Sequence, residues 1–201
     1  MLSGIYAIVD AAEGEPLAQL ADVLAGGVRV VQYRAKSGVR RELLVAMHER
    51  ARTEGAVLLV NDELALIADC DGVHLGQEDL EAIDSGLLAA RCATSLLGIS
   101  CPDAESARAA AGLGADYVGV GSMYPTASKA DAGPPIGPAG VRAVVEAVRI
   151  PVAAIGGITL ERIPEVRATG AAMAAVITAI SRAKDRRLAA RALVEAWDAA
   201  A

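Results

Sequence analysis

Short runs of apolar and β-branched residues alternate along the chain with longer, alanine-rich segments. Eight runs have the length and composition of buried strands: residues 4–9, 28–34, 56–60, 72–75, 96–100, 117–121, 152–156 and 174–177. In the segments between them, apolar residues recur at steps of three and four, as in PLAQLADVLAGG, where a glycine pair ends the run. This alternation predicts βαβ units and a parallel sheet.

Eight such units predict a single-domain α/β fold, a (β/α)8 TIM barrel over residues 1–201. The chain of 201 residues is near the lower limit of about 200 for this fold, so most loops must be short. The exception is SMYPTASKADAGPPIGP, residues 122–138, after the sixth strand. It is either a tolerated surface loop or a lid, and Lys129 within it favours the lid.

Composition restricts the classes of partner. The net charge of −6 and the isoelectric point near 5.0 argue against binding to nucleic acid or to anionic membranes. Aromatic residues make up only 2% of the chain, which removes the stacking platforms of single-strand nucleic-acid binders. MLSGIYAIVD lacks the pattern of a signal peptide, and no apolar stretch reaches the roughly 18 residues of a membrane span. We expect a cytoplasmic protein that binds small molecules, and the sequence leaves open whether it forms a homo-oligomer.

The cysteines and histidines give little sign of a metal or nucleophile site. Cys70, Cys92 and Cys101 are odd in number and lack metal-ligand spacing, so free thiols are expected. His48 falls in a predicted helix at a position expected to be exposed, and His74 in GVHLG is expected to be a hydrogen-bonded strand residue. A Ser-His-Asp triad therefore has little support.

The stretch VRVVQYRAK begins as a buried strand and ends in two cations. Residues two apart in a strand point to the same face, so Gln32, Arg34 and Lys36 should converge at its C-terminal end. In this fold the active site is built at that end of the strands. With Lys129 from the loop after strand six, these cations could enclose a polyphosphate, because Arg supplies a planar fork and Lys a point charge.

Two carboxylates follow neighbouring strands at the same end of the barrel. Asp62 comes after strand three and Asp79 after strand four, so they could face each other. One interpretation is helix capping, by Asn61 or Asp62 of ELALIAD and by Asp79 of LEAIDSGLLAA. The other is a Mg²⁺ site, because Mg²⁺ prefers few carboxylates together with waters and substrate phosphates.

A second phosphate site is predicted after strands seven and eight, a recurring place for one in this barrel. The glycine pair of AAIGGIT, Gly156 and Gly157, would let the backbone approach a ligand ahead of the turn at Thr159. VITAIS adds backbone N–H groups and the hydroxyl of Thr178. The alternative is that the glycines serve packing alone.

Six stretches occur along the chain in this order: QYRAK, NDELALIADCDGVHLGQEDL, GIS, ADYVGVGSMYPTASK, IGGIT and VITAIS. Together they resemble the thiamine phosphate synthase family, also called thiamine-phosphate pyrophosphorylase, over nearly the whole chain. The resemblance implies a compact (β/α)8 barrel. It also implies a Mg²⁺-dependent, dissociative reaction, in which a pyrimidinylmethyl diphosphate and a thiazole phosphate give thiamine phosphate and pyrophosphate.

The resemblance further implies residue roles. The catalytic cations, which also bind the diphosphate, would be Arg34, Lys36 and Lys129. Further contacts to the pyrimidine diphosphate would come from Gln32, Asn61 and Ser100. The Mg²⁺ ligands would be Asp62 and Asp79. The thiazole phosphate would contact Thr126, Ser128, Gly157, Ile177 and Thr178.

The chain departs from the family pattern at two places. The family commonly has a His shortly after the strand-five serine, whereas this chain reads SCPD, with Cys101 and Pro102. Ser128 stands where a second threonine is common. The alternatives are a thiazole tautomerase, a relative whose catalytic His lies in that strand-five region, and a non-catalytic thiamine-phosphate sensor. The missing His argues against the first, and the retained Asp62 and Asp79 argue against both.

Overall fold

The computed structural model describes residues 2–126 and 133–200. Each strand pairs in parallel with the next, and the last pairs with the first, so the sheet closes into an eight-stranded barrel. The strands are β1 (Gly4–Asp10), β2 (Val30–Arg34), β3 (Val57–Asn61), β4 (Gly72–Leu75), β5 (Leu96–Cys101), β6 (Tyr117–Val120), β7 (Val152–Ile155) and β8 (Met173–Val176). The predicted TIM barrel is confirmed, with every strand boundary within two residues of its prediction.

Helices follow the strands around the barrel. The α-helices are α1 (Pro16–Ala25), α2 (Arg41–Thr53), α3 (Gln77–Ala82), α4 (Ser85–Cys92), α5 (Ala104–Gly112), α6 (Gly137–Ala147), α7 (Ile163–Arg167), α8 (Thr178–Ser181) and α9 (Arg186–Ala199). Short 3-10 helices cover Ala11–Glu13, Leu64–Asp69 and Leu160–Arg162. Within the described ranges, no helix combines the length and the apolar character that crossing a bilayer requires.

Two predicted helices differ from those in the structure. ELALIAD forms a 3-10 helix, Leu64–Asp69, rather than an α-helix. LEAIDSGLLAA is interrupted, because the Asp84 carboxylate accepts a hydrogen bond from Leu87 N at 3.0 Å and starts α4 as a separate helix. Local capping therefore overrides the continuous apolar pattern here.

The strands separate the apolar interior into two layers. Outward-facing residues such as Val31 and Tyr33 pack against the helices, and inward-facing residues such as Val30 fill the barrel. Small residues make room for large ones inside, since a Cβ at Gly98 would overlap the ring of Tyr117. The barrel is therefore a packed interior with its polar side chains gathered toward the C-terminal ends of the strands.

The cysteines are free thiols, as expected. Cys101 lies in the layer between strands and helices and is 2% exposed, and burial raises the pKa of its thiol to about 11. The expectation that His48 is exposed is wrong, because its side chain is half-buried with Nε2 only 3.2 Å from Asp71 Oδ1. Neither residue lies among the polar groups at the mouth of the barrel.

Candidate active site

Gln32 and Arg34 lie on β2, and their side chains face the inside of the barrel. Gln32 is 2% exposed, and Arg34 ends the strand at the mouth, where its Nη1 lies 2.5 Å from Asp10 Oδ2 of β1. The expected alternation fails for Lys36, because β2 ends at Arg34 and the chain turns before Lys36. Lys36 is exposed in that turn, so only two of the three side chains belong to the strand face.

Asp62 and Asp79 lie next to each other at the ends of β3 and β4. Burial, followed by the charge of Asp79 and a hydrogen bond with it, raises the pKa of Asp62 above its usual value. Asp62 also accepts hydrogen bonds from the Asn61 side chain and, at 3.4 Å, from Gly76 N. Its φ of 64° places it in the left-handed region, which Asp adopts more readily than most residues.

The capping interpretation of these two carboxylates is wrong. Glu63 precedes the 3-10 helix Leu64–Asp69, and Gly76 precedes α3, with no side-chain capping bond at either position. Asp79 lies inside the first turn of α3. Two carboxylates that repel each other and cap nothing have the chemistry of a divalent-cation site.

The donor set fits Mg²⁺ better than a metal that needs a closed protein cage. Among residues 2–126 and 133–200, no group of three or more His, Cys, Asp or Glu side chains is placed to hold a metal ion. Mg²⁺ is commonly bound through one or two carboxylates, with waters and substrate phosphates completing its octahedron. Asp62 and Asp79 supply that number.

A chain of hydrogen bonds crosses the barrel beneath these groups. Gln32 Nε2 donates to Tyr6 Oη at 2.8 Å, and Tyr6 Oη lies 2.8 Å from Tyr117 Oη. Tyr117 Oη lies 2.8 Å from His74 Nδ1, and His74 Nε2 lies 3.0 Å from Ser100 Oγ. We call these five side chains the barrel network. The prediction that His74 is a hydrogen-bonded strand residue is confirmed.

The loops after β6 and β7 pack closely against each other. Gly156 and Gly157 have φ of 100° and 63°, and a Cβ at Gly157 would lie 2.6 Å from Pro125 O. The packing interpretation of the glycine pair is therefore supported, and a phosphate contact there stays a prediction. Thr126 is half-buried at the end of the described part of this loop, whereas Ser128 and Lys129 lie outside the described residues.

Arg162 joins these two loops. Its Cζ lies 4.2 Å from the centre of the Tyr124 ring, and its Nη1 donates to Gly157 O at 2.5 Å. The Tyr124 hydroxyl donates to Glu165 Oε2 at 2.5 Å, and burial together with this carboxylate raises the pKa of Tyr124 to about 12. The sequence pattern placed Tyr124 of YPTASK at the rim after strand six but did not single out Arg162 or Glu165.

The loop after β8 completes the rim. Ile177 follows β8 directly, and Thr178 begins α8, with both residues half-buried. Arg182, just after α8, pairs with Glu13 at 2.8 Å and so ties this loop to the one after β1. Ser100 faces the barrel, whereas the next residue, Cys101, points away from it. The cysteine in SCPD therefore adds no group to the site.

The chain is similar to known proteins over most of its length. Residues 5–180 match the model of thiamine monophosphate synthase. The chain belongs to the thiamine monophosphate synthase family. It is 42% identical over 182 residues to a thiamine-phosphate synthase of Caldivirga maquilingensis, covering 88% of this chain and 87% of that one. It is 44% identical over 189 residues to one of Moorella thermoacetica, covering 90% and 89% of the two chains.

A solved structure agrees with this membership of the thiamine monophosphate synthase family. The thiamine phosphate pyrophosphorylase of Pyrococcus furiosus superimposes with a TM-score of 0.90 and 32% identity, covering 98% of this chain and 96% of that one. The resemblance deduced from the six motifs is thus confirmed. Family membership makes the chain a transferase of thiamine biosynthesis.

Proposed function

We propose that the protein condenses 4-amino-2-methyl-5-pyrimidinylmethyl diphosphate with a thiazole phosphate, either hydroxyethylthiazole phosphate or its carboxylate, to give thiamine phosphate and pyrophosphate. The observation that carries the proposal is the pair Asp62 and Asp79, which cap no helix and lie next to each other at the same end of the barrel as Arg34. The oxygens of a diphosphate bind both Mg²⁺ and cationic side chains. A diphosphate substrate therefore accounts for acidic and basic residues at the same rim of the barrel.

The chain's own cations would bind the diphosphate. Arg34 would offer the N–H groups that Asp10 does not use, and Lys36 is exposed and can turn toward the ligand. Lys129, from the loop after β6, would add a third charge. Asp62 and Asp79 would hold Mg²⁺, which when bound would neutralise negative charge on the pyrophosphate.

The reaction would be dissociative. The C–O bond to the diphosphate breaks first, and pyrophosphate leaves with the electron pair. The electron-rich aminopyrimidine carries the positive charge left on its methylene carbon, and the thiazole nitrogen then donates its lone pair to that carbon. Arg34, Lys36 and Lys129 would stabilise the charge on the leaving group more strongly than in the ground state, which lowers the barrier.

The second substrate would lie across the barrel mouth from β2. Thr126, Ser128, Gly157, Ile177 and Thr178 would bind the thiazole phosphate. Holding the thiazole nitrogen in line with the methylene carbon supplies orientation, and the loop after β6 would exclude water that could trap the cation.

The test is formation of thiamine phosphate, detected by mass, from both purified substrates with and without Mg²⁺. The proposal expects Mg²⁺-dependent product and one pyrophosphate per turnover. Product that forms equally well with a chelator present would remove the metal role of Asp62 and Asp79. Folded protein that binds the thiazole phosphate but forms no product would overturn the proposal in favour of a tautomerase or a sensor.

A further inference from the structure

The barrel network joins two proposed substrate contacts that lie on separate strands. Gln32 is on β2 and Ser100 is on β5, and the bonds between them pass through β1, β6 and β4. Residues this far apart around a barrel normally act independently, since their energetic effects add. A continuous series of hydrogen bonds gives them a physical connection.

The two tyrosines of the network are neutral and closely packed. Tyr6 is 2% exposed and Tyr117 is fully buried. Burial raises the pKa of both hydroxyls above the usual value, so each keeps its single hydrogen at neutral pH. The ring of His74 is also confined, because a Cβ at Gly119 would lie 3.0 Å from its Cε1.

One hydrogen on each phenol means that the direction of donation at one end determines the direction throughout. With Gln32 Nε2 as the donor to Tyr6, every bond is satisfied when Tyr6 gives its hydrogen to Tyr117 and Tyr117 gives its hydrogen to His74 Nδ1. His74 then carries its proton on Nε2 and donates to Ser100 Oγ. The free hydrogen of the Ser100 hydroxyl is left to donate to a ligand, and Oε1 of Gln32 is left to accept from one.

We propose that Tyr6, Tyr117 and His74 are positioning residues that hold Gln32 as an acceptor and Ser100 as a donor for the amidine edge of the aminopyrimidine. That edge presents an amino group, which donates, beside a ring nitrogen, which accepts. The inference rests on the proposed function and specifies how its first substrate is selected. It predicts that Gln32 and Ser100 discriminate against the 4-oxo pyrimidine. That ring presents a carbonyl, which accepts, beside a ring N–H, which donates, so the donor and the acceptor are exchanged.

The size of the effect follows from the cost of unpaired polar groups. A buried donor facing a donor, or an acceptor facing an acceptor, loses its hydrogen bond and keeps its desolvation penalty. We expect the intact network to favour the amino form at least about tenfold. A network broken at Tyr117 lets Gln32 and Ser100 adopt either direction independently, so the preference should fall to about threefold or less.

The experiment measures dissociation constants by calorimetry for two probes, the monophosphates of the 4-amino and the 4-oxo pyrimidinylmethyl alcohols. Neither probe carries a pyrophosphate leaving group, so binding is separated from chemistry. The proteins are wild type, Tyr117→Phe and the control Tyr33→Phe. Tyr33 is equally buried but faces the helices from β2, so its variant should keep the wild-type preference.

Three outcomes would overturn the inference. One is equal binding of the two probes by wild-type protein that still forms thiamine phosphate, and this leaves the proposed function intact. A second is equal weakening of both probes in Tyr117→Phe, which marks a structural role alone. The third is an unchanged preference in Tyr6→Phe. This variant breaks the same network at β1, and it replaces Tyr117→Phe as the test if that variant does not fold. Conversely, a preference that disappears in Tyr117→Phe, in a protein that makes no thiamine phosphate, would support the network and reject the proposed function.

Discussion

Asp10 and Arg34 lie directly opposite each other on β1 and β2, and Arg34 Nη1 lies 2.5 Å from Asp10 Oδ2. Asp10 is 6% exposed, and its other oxygen accepts a hydrogen bond from Ala12 N at 2.9 Å. The carboxylate is therefore fixed by the backbone, and it in turn holds the guanidinium at the mouth of the barrel. Arg34 is oriented there by the protein alone.

We expect Asp10→Asn to lower kcat/KM for the pyrimidine diphosphate by about tenfold, because Arg34 loses its charged partner and its fixed orientation. Steady-state kinetics of thiamine phosphate formation measure this. The control is Glu13→Gln, which breaks the pair with the exposed Arg182 at the same rim and should change kcat/KM less than about twofold. Higher activity in Asp10→Asn would mean that Asp10 competes with the substrate for Arg34.

The carboxylate pair predicts a variant that is more stable than the wild type. The pKa of Asp62 is raised in the folded protein, so its stabilising contribution is present at low pH and is lost as the pH rises through that value. Burial and repulsion from the neighbouring Asp79 carboxylate both disfavour the charged form of Asp62. Asp62→Asn removes this repulsion, and Asn also adopts the φ of 64° readily.

We expect the melting temperature of metal-free Asp62→Asn to exceed that of the wild type by about 2 °C at about pH 7.5, with a smaller difference at lower pH, where the raised pKa leaves Asp62 protonated. Added Mg²⁺ should stabilise only the wild type. Thermal melts with and without MgCl₂ test both points. In the control Asp69→Asn, which removes the partner of Arg41, the melting temperature should not rise. A lower melting temperature for Asp62→Asn, with Mg²⁺ stabilisation retained, would contradict the metal assignment.

Lys129→Ala should lower kcat by at least about a hundredfold and leave the melting temperature unchanged, because a loop cation would act on the leaving group and adds little to the core. Turnover and thermal melts of the same preparation separate the two effects. Lys184→Ala is the matched control, since Lys184 is an exposed lysine outside the proposed site. Wild-type turnover in Lys129→Ala would exclude Lys129 from catalysis.

The strands and much of the rim could be predicted because they depend on local sequence pattern. Alternation within one strand was enough to direct Gln32 and Arg34 into the barrel, and chain order was enough to bring Asp62 next to Asp79. The same reasoning failed at Lys36, because the exact end of β2 is set by pairing with its neighbours.

The barrel network could not be predicted because its contacts cross the barrel. Whether Tyr6 reaches Tyr117 depends on strand stagger and on the space left by Gly98, neither of which a local pattern reveals. The sequence did contain a partial signal. Tyr6 and Asp10 are an even number of residues apart on β1, so their side chains point to the same side of the strand. His74 lies on β4, a strand whose neighbours carry site residues. The alternation of side chains along a strand selects the candidate residues, but only the closed barrel shows which of them contact each other.

Arg162 should control binding of the thiazole phosphate alone. It covers the Tyr124 ring at 4.2 Å and bonds to Gly157 O, so it fixes the two loops that would hold that phosphate. Losing a cation–π contact and a hydrogen bond should raise the KM for the thiazole phosphate about tenfold in Arg162→Ala. The KM for the pyrimidine diphosphate should stay within about twofold, because β2 and β3 are untouched.

Both KM values are measured by varying one substrate at saturation of the other. Arg142→Ala is the matched control, because Arg142 bonds at 3.3 Å to the carbonyl of Ala168, beyond α7, and should leave both values unchanged. Equal rises in both KM values for Arg162→Ala would show a general loosening of the barrel mouth. A rise confined to the thiazole phosphate would place its binding site between the loops after β6 and β7, because Arg162 contacts both.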